Sequence, residues 1–184
     1  LANGGVYGAV ALRGAAPAKK RVADAAAVHL VTDILADNNA RLRTFGLDNT
    51  LATHGFAAVK TGTSKDMRDN WCIGFTDRYT VGVWIGNADG AAMHEVSGVS
   101  GAAPIWRELV GWLHAARPSQ PPVVPRGVVA LPVAFDASRE AARDELFLAG
   151  TEQARQRAGA QAGGRERFGI VGPRDGSVFA LDPD

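Results

Sequence analysis

Between positions 24 and 38 the apolar residues Ala27, Leu30, Val31, Ile34 and Leu35 recur at i, i+3, i+4, i+7 and i+8, with Asp24 placed to cap a first turn. This spacing predicts a helix over 24–38 that buries that stripe. Upstream, Gly4-Gly5 running into Val6-Tyr7-Gly8-Ala9-Val10 predicts a turn and a short strand, and the mixture of Gly, Pro, Lys and Arg over 13–21 predicts a surface loop. From Phe56 the pattern becomes β-like. Phe56–Thr61, Asn70–Phe75 and Tyr79–Gly86 read as three strands, the last two joined as a hairpin by Thr76-Asp77-Arg78. Gly74, Gly82 and Gly86 interrupt these strands and mark places where another group comes close. Pro104 then stands where a first helical turn tolerates it, and Ile105, Leu109, Trp112, Leu113 and Ala116 trace an apolar stripe as far as Pro118. A second helix is predicted over 103–116.

Past Arg117 the composition shifts. Pro118, Pro121, Pro122 and Pro125 lie close together, as in a stiff extended connector, and a boundary is expected there. Val128–Phe135 and Glu145–Leu148 read as two short strands. Thr151 to Arg167 has no apolar period and reads as a linker. Phe168–Gly176 predicts a strand and tight turn opening a small β module.

Composition narrows the function without choosing it. The chain has 184 residues, 46% hydrophobic and 21% charged, enough for one mid-sized core. Twenty Lys and Arg against 19 Asp and Glu give a net charge of +1, so no strong field argues for nucleic acid or an anionic membrane face. Cys72 is the only cysteine and His29, His54, His94 and His114 are scattered, so no metal site is predicted. Cys72 is expected to be buried and inert. Trp71, Trp84, Trp106 and Trp112 are expected in the core between sheet and helix. No run of about 18 apolar residues exists, and Leu1-Ala2-Asn3-Gly4-Gly5 has neither an initiator Met nor a signal-peptide pattern, so a piece of a longer protein is expected.

The most informative stretch is Lys60-Thr61-Gly62-Thr63-Ser64, at the end of one predicted strand and just before the hairpin. A lysine on a rigid strand supplies a fixed cation, and the hydroxyls of Thr61 and Thr63 supply donors. Gly62 removes a Cβ that would obstruct a substrate backbone or a helix bearing a nucleophile. The set suits a bound carboxylate. Taken alone, the same residues also fit a strand ending in a solvated polar turn. Asp66, Arg68 and Asp69 are expected to shape that turn, and Met93-His94-Glu95 to line a loop near the cleft.

The run AVKTGTSKDMRDNWCIGFTDRYTVGVWIGNADG resembles the C-terminal part of the transpeptidase domain of class A, bifunctional penicillin-binding proteins, most like the 1C type. LANGGVY, ILADNNARLRTFGLDNTL, SGVSGAAPIW and ELFLAGTE extend the resemblance over nearly the whole chain. FGIVGPRDGSVFALDPD is similar to the beginning of the small β domain that ends such proteins. The resemblance implies an α/β fold of the α+β type, an antiparallel sheet with packed helices. It divides the chain into 1–117, the C-terminal half of the transpeptidase domain; 118–167, a Pro-rich extension and linker; and 168–184, the truncated start of the β domain.

It further implies that Lys60, Thr61 and Thr63 hold the terminal carboxylate of a D-Ala-D-Ala stem peptide or of a β-lactam, with Gly62 and Ser64 completing the substrate-binding stretch. Lys60 and Thr63 would take part in catalysis, the Thr63 N–H as one oxyanion donor. The implied reaction is peptidoglycan cross-linking by a serine D,D-transpeptidase without metal or organic cofactor. A glycosyltransferase domain and a single membrane anchor would lie upstream, with the catalytic part in the periplasm. One departure is plain: none of the six serines is followed three residues later by lysine, and Ser-x-Asn is missing too. The 184-residue chain is therefore expected to be a half-site, inactive alone. A D,D-carboxypeptidase or β-lactamase relative, or a non-catalytic wall-binding module, are the alternatives.

Overall fold

The computed structural model describes residues 1–8, 18–45, 49–136 and 141–157. A two-stranded ribbon, β1 (Val6–Tyr7) and β2 (Lys20–Arg21), precedes helix α1 (Ala25–Ala36) and a second helix α2 (Asn38–Phe45). Three antiparallel strands follow in the order β3 (Ala58–Thr63), β4 (Asp69–Phe75) and β5 (Thr80–Gly86). Helix α3 (Ala103–Leu113) covers one face of this sheet, and a second sheet of β6 (Val128–Asp136), β7 (Arg143–Leu148) and β8 (Arg155–Arg157) follows. The expected α/β architecture of antiparallel sheets with packed helices is what forms. Among the described residues the one parallel pair is β6 with β8, the latter three residues inside the stretch expected as linker. The β module expected over 168–184 lies outside the described residues.

Local chemistry explains where the elements begin and end. The Asp24 carboxylate accepts the Ala26 and Ala27 N–H groups at 2.9 and 3.0 Å, the expected cap of α1. Asp37 ends that helix two residues short of the predicted 38 because its own carboxylate takes the Asn39 and Ala40 N–H groups at 2.8 and 3.1 Å and starts α2. Helix α2, NNARLRTF, has no apolar stripe and was invisible to periodicity. A π-helical turn over Gly98–Ala102, closed by a reciprocal Ser97–Ser100 capping box, leads into α3. Pro104 sits in the first turn of α3 as predicted. The helix stops at Leu113 instead of 116 because the His114 ring turns back to Thr76 Oγ1 and the Arg117 carbonyl, each at 3.0 Å.

The core lies between α3 and the first sheet: Leu51, Ala57, Val59, Cys72, Val83, Ala102, Ala103, Trp106 and Val110. Trp106 is fully buried, donates its indole N–H to the Val81 carbonyl at 3.1 Å and lies across Gly74, where a Cβ would stand 2.4 Å from the ring. Here Gly74 meets the expectation of close approach.

Three of the four tryptophans correct the expectation of a common core. Trp71 and Trp84 are each 43% exposed and Trp112 76%. Trp71 and Trp84 face each other on the side of the sheet opposite α3, and Trp112 sits on the outer side of α3. Both helices also bury a different face from the predicted stripe. In α1 the buried residues are Ala26, Val28 and Thr32 while Val31 and Ile34 are exposed; in α3 they are Ala103, Trp106 and Val110 while Ile105 and Leu109 are exposed. Small residues allow α1 to lie close to β3 and to the second sheet.

The Pro-rich stretch forms no regular element but is strapped to the first sheet. Ser119 Oγ donates to the Phe56 carbonyl at 2.6 Å, just ahead of β3.

Candidate active-site strand

Lys60, Thr61, Gly62 and Thr63 all lie on β3, which pairs only with β4 and so is an edge strand among the described residues. Register decides what this edge offers. Opposite residues of an antiparallel pair share a face and alternate between bonded and non-bonded pairs. The Ser64 N–H donates to the Asp69 carbonyl at 2.9 Å, which makes Gly62–Trp71 and Lys60–Ile73 bonded pairs as well. The backbone N–H and C=O groups of Val59, Thr61 and Thr63 therefore point away from β4, along the open edge. The side chains divide by pleat: Thr61 and Thr63 share a face with Asn70 and Cys72 under α3, whereas Lys60 and Gly62 share the opposite face with Trp71 and Ile73.

Lys60 turns back to the edge, whereas the Thr63 hydroxyl is engaged over the sheet face. The exposed Lys60 side chain bends so that Nζ donates to the Thr61 carbonyl at 2.6 Å, which brings the ammonium to the outward-facing backbone. The Thr63 hydroxyl oxygen accepts the Gly98 N–H at 3.0 Å. A Cβ at Gly62 would meet nothing nearer than Trp71 Cβ at 3.9 Å, so the chain's own packing does not require glycine there.

Ser64 has a different environment. Its Oγ accepts the Asp69 N–H at 2.8 Å and donates to Asp69 Oδ2 at 3.2 Å, so its hydroxyl is engaged within its own loop. Asp69 also accepts the Trp84 indole N–H at 2.9 Å, joining the loop to β5 and giving the expected turn-shaping role. Arg68 donates to the Gly90 carbonyl at 2.9 Å and stands 3.8 Å from Asp66, tying the Lys65–Met67 turn to the loop after β5. Met93, His94 and Glu95 line a hollow beside that turn, about 500 Å³ in volume, with Asp66, Met67 and Ala92, and none of residues 60–64 borders it. A larger hollow of about 760 Å³ under α3, with His54, Arg107 and His114 in its wall, includes none of residues 60–64.

Cys72, paired with Thr61, is fully buried; burial pushes its thiol up to about 12, against a smaller opposing effect of Arg41. The thiol stays protonated at neutral pH, as expected of an inert structural cysteine. Asn70, equally buried, donates from Nδ2 to the Val96 carbonyl at 3.2 Å. Neither Asn70 nor Gly98 was singled out from sequence, since their importance depends on which loop folds back over the strand. No group of three or more His, Cys, Asp or Glu side chains able to hold a metal ion occurs among the described residues.

No known family profile matches the chain. It is 32% identical over 111 residues to penicillin-binding protein 1C of Escherichia coli, covering 58% of this chain and 14% of that protein. It is 30% identical over 128 residues to penicillin-binding protein 1A of Pseudomonas aeruginosa, covering 67% and 15%. To penicillin-binding protein 4 of Bacillus subtilis it is 42% identical over 57 residues, 31% of this chain and 9% of that one. The chain thus spans 9 to 15% of the lengths of these relatives. The crystal structure of penicillin-binding protein 1A from Haemophilus influenzae superimposes with a TM-score of 0.58 over 74% of this chain and 22% of that one, at 24% identity, which establishes the shared fold. Both 1A and 1C proteins appear among the relatives, so the 1C subtype is not singled out: the chain is similar to class A penicillin-binding proteins of both kinds.

Proposed function

We propose that this chain is the C-terminal part of a peptidoglycan synthase, and that β3 is one wall of its D,D-transpeptidase cleft. The observation that carries the reading is the open edge of β3, where the N–H and C=O groups of Thr61 and Thr63 point outward and the Lys60 ammonium lies on the Thr61 carbonyl. An extended peptide can add to such an edge through main-chain hydrogen bonds, with its terminal carboxylate taken by the ammonium and a hydroxyl. In this reading Lys60 and the Thr61 and Thr63 side chains hold the carboxylate of a D-Ala-D-Ala stem peptide or a β-lactam. The Thr63 N–H supplies one oxyanion donor. Gly62 leaves space for the substrate backbone, and Ser64 shapes the end of the strand through Asp69.

The nucleophilic serine and its lysine come from upstream sequence. That serine attacks the penultimate D-Ala carbonyl, D-Ala leaves with a proton on its amine, and the acyl group passes to an amine of a neighbouring strand. A β-lactam forms the same ester without a departing group. Residues 1–117 belong to the transpeptidase domain, 118–167 to an extension and linker, and 168–184 open a C-terminal β domain. The whole protein carries a glycosyltransferase domain and a membrane anchor that places this region in the periplasm. No helix among the described residues is itself long and apolar enough to cross a membrane.

Labelling of the full-length protein by a fluorescent penicillin, and its suppression by a peptide ending in D-Ala-D-Ala, tests the reading. A folded full-length protein that never labels would overturn the reading and leave a binding module with β3 as its docking edge.

A further inference from the structure

The Gly98 N–H reaches the Thr63 hydroxyl oxygen at 3.0 Å from a residue 35 positions away, across the face of the β3–β4 ladder. Gly98 is buried, and the fit is tight. A Cβ built there would stand 2.7 Å from both the Gly62 and Trp71 carbonyl oxygens and 3.2 Å from the Gly62 nitrogen, all of them backbone atoms that cannot swing aside. Only glycine lets this turn approach the ladder closely enough for the bond.

Two anchors hold Gly98 at that position. Just before it, Asn70, which pairs with Thr63 across the ladder, holds the Val96 carbonyl through Nδ2 at 3.2 Å. The Ser97–Ser100 capping box then fixes the start of the turn, with Ser97 N donating to Ser100 Oγ at 2.9 Å.

A threonine hydroxyl has one proton to give and two lone pairs to receive. With one lone pair taken by the Gly98 N–H, its proton must point away from Gly98, and a positive peptide dipole stands behind the oxygen. Both effects favour an anion as the outward partner. We infer that Gly98 is a positioning residue that sets Thr63 as a proton donor toward the substrate's carboxylate. The loop carrying Gly98 thus helps determine selectivity for carboxylate-bearing substrates. The inference rests on the proposed transpeptidase function and adds to it a residue outside the Lys-Thr-Gly stretch.

The test compares acylation of the full-length protein by a penicillin with acylation by the methyl ester of the same penicillin. Wild type should prefer the free acid. Gly98→Ala and Thr63→Val should each lower that preference by about tenfold, the scale of one hydrogen bond to a charged group, and Thr63→Ser should retain it. Combined, Gly98→Ala and Thr63→Val should lose little more than either alone, because both act through one hydroxyl. Equal loss with acid and ester in Gly98→Ala, or additive losses in the double variant, would overturn the inference.

Should Gly98→Ala fail to fold, hydrogen exchange at the Gly98 amide decides. Thr63→Val should deprotect it about tenfold and Thr63→Ser should not, whereas unchanged protection in Thr63→Val sinks the assignment. A wild-type protein that labels with neither probe counts against the transpeptidase reading itself. Labelling with an unaltered acid preference in Gly98→Ala counts against the role of Gly98 alone.

Discussion

Asp69 is the residue whose contacts most clearly separate support from chemistry. Its carboxylate takes Ser64 Oγ on one side and the Trp84 indole on the other, closing the loop at the end of the candidate strand. Asp69→Ala should lower the melting temperature of the 184-residue chain by about 2–4 °C, the scale of roughly 1 kcal/mol in a domain of this size. A thermal scan by circular dichroism measures it. Cys72 gives a pH signature. Its proton is held more tightly in the folded state, at about 12 against an ordinary 9.0, so its contribution to stability is complete below pH 9 and declines as pH rises toward 12. Urea unfolding between pH 8 and 11 should show a fall approaching about 1.4 kcal/mol per unit above pH 9 that Cys72→Ala lacks. A buried cysteine was legible from sequence because a lone small apolar residue within a strand has few other fates. The Gly98–Thr63 bond was not, since nothing local to either residue marks a partner 35 positions distant.

At the scale of elements, period and punctuation located β3, β4, β5, α1 and α3, but not which faces the helices bury. Periodicity reports that a helix has an apolar stripe; it does not report whether another part of the same chain covers it. Hence Ile105, Leu109 and Trp112 carry the expected stripe and stand in water, while Ala103, Trp106 and Val110 hold α3 to the sheet. Side-chain removal should show the difference. Trp106→Ala empties the centre of the core and orphans the Val81 bond, and should cost about 3–5 kcal/mol, whereas Trp112→Ala should stay within about 0.5 kcal/mol. Chemical denaturation of both variants reads the contrast, and equal losses would mean that Trp112 is covered in solution. Helix α2 escaped prediction for the opposite reason: Asp37 caps it, but it presents no stripe to find.

For the molecule as a whole, the sheet and its packed helix reproduce a fold shared with a much larger penicillin-binding protein, and the chain spans 9 to 15% of the three relatives compared. The Lys-Thr-Gly strand was readable because its chemistry is compressed into consecutive residues. Its partners in the proposed reaction are not, since no Ser-x-x-Lys or Ser-x-Asn occurs in these 184 residues. In the proposed function the open edge of β3 is half of an acylation site completed by upstream sequence. Its most direct test is time-resolved labelling by a fluorescent penicillin of the full-length protein, its Lys60→Ala variant and the 184-residue chain, side by side. The full-length protein should label, Lys60→Ala should label at least about 30-fold more slowly through loss of one partner of a charge pair, and the short chain should stay dark. Labelling of Lys60→Ala at the full-length rate, or of the short chain at all, would contradict this function.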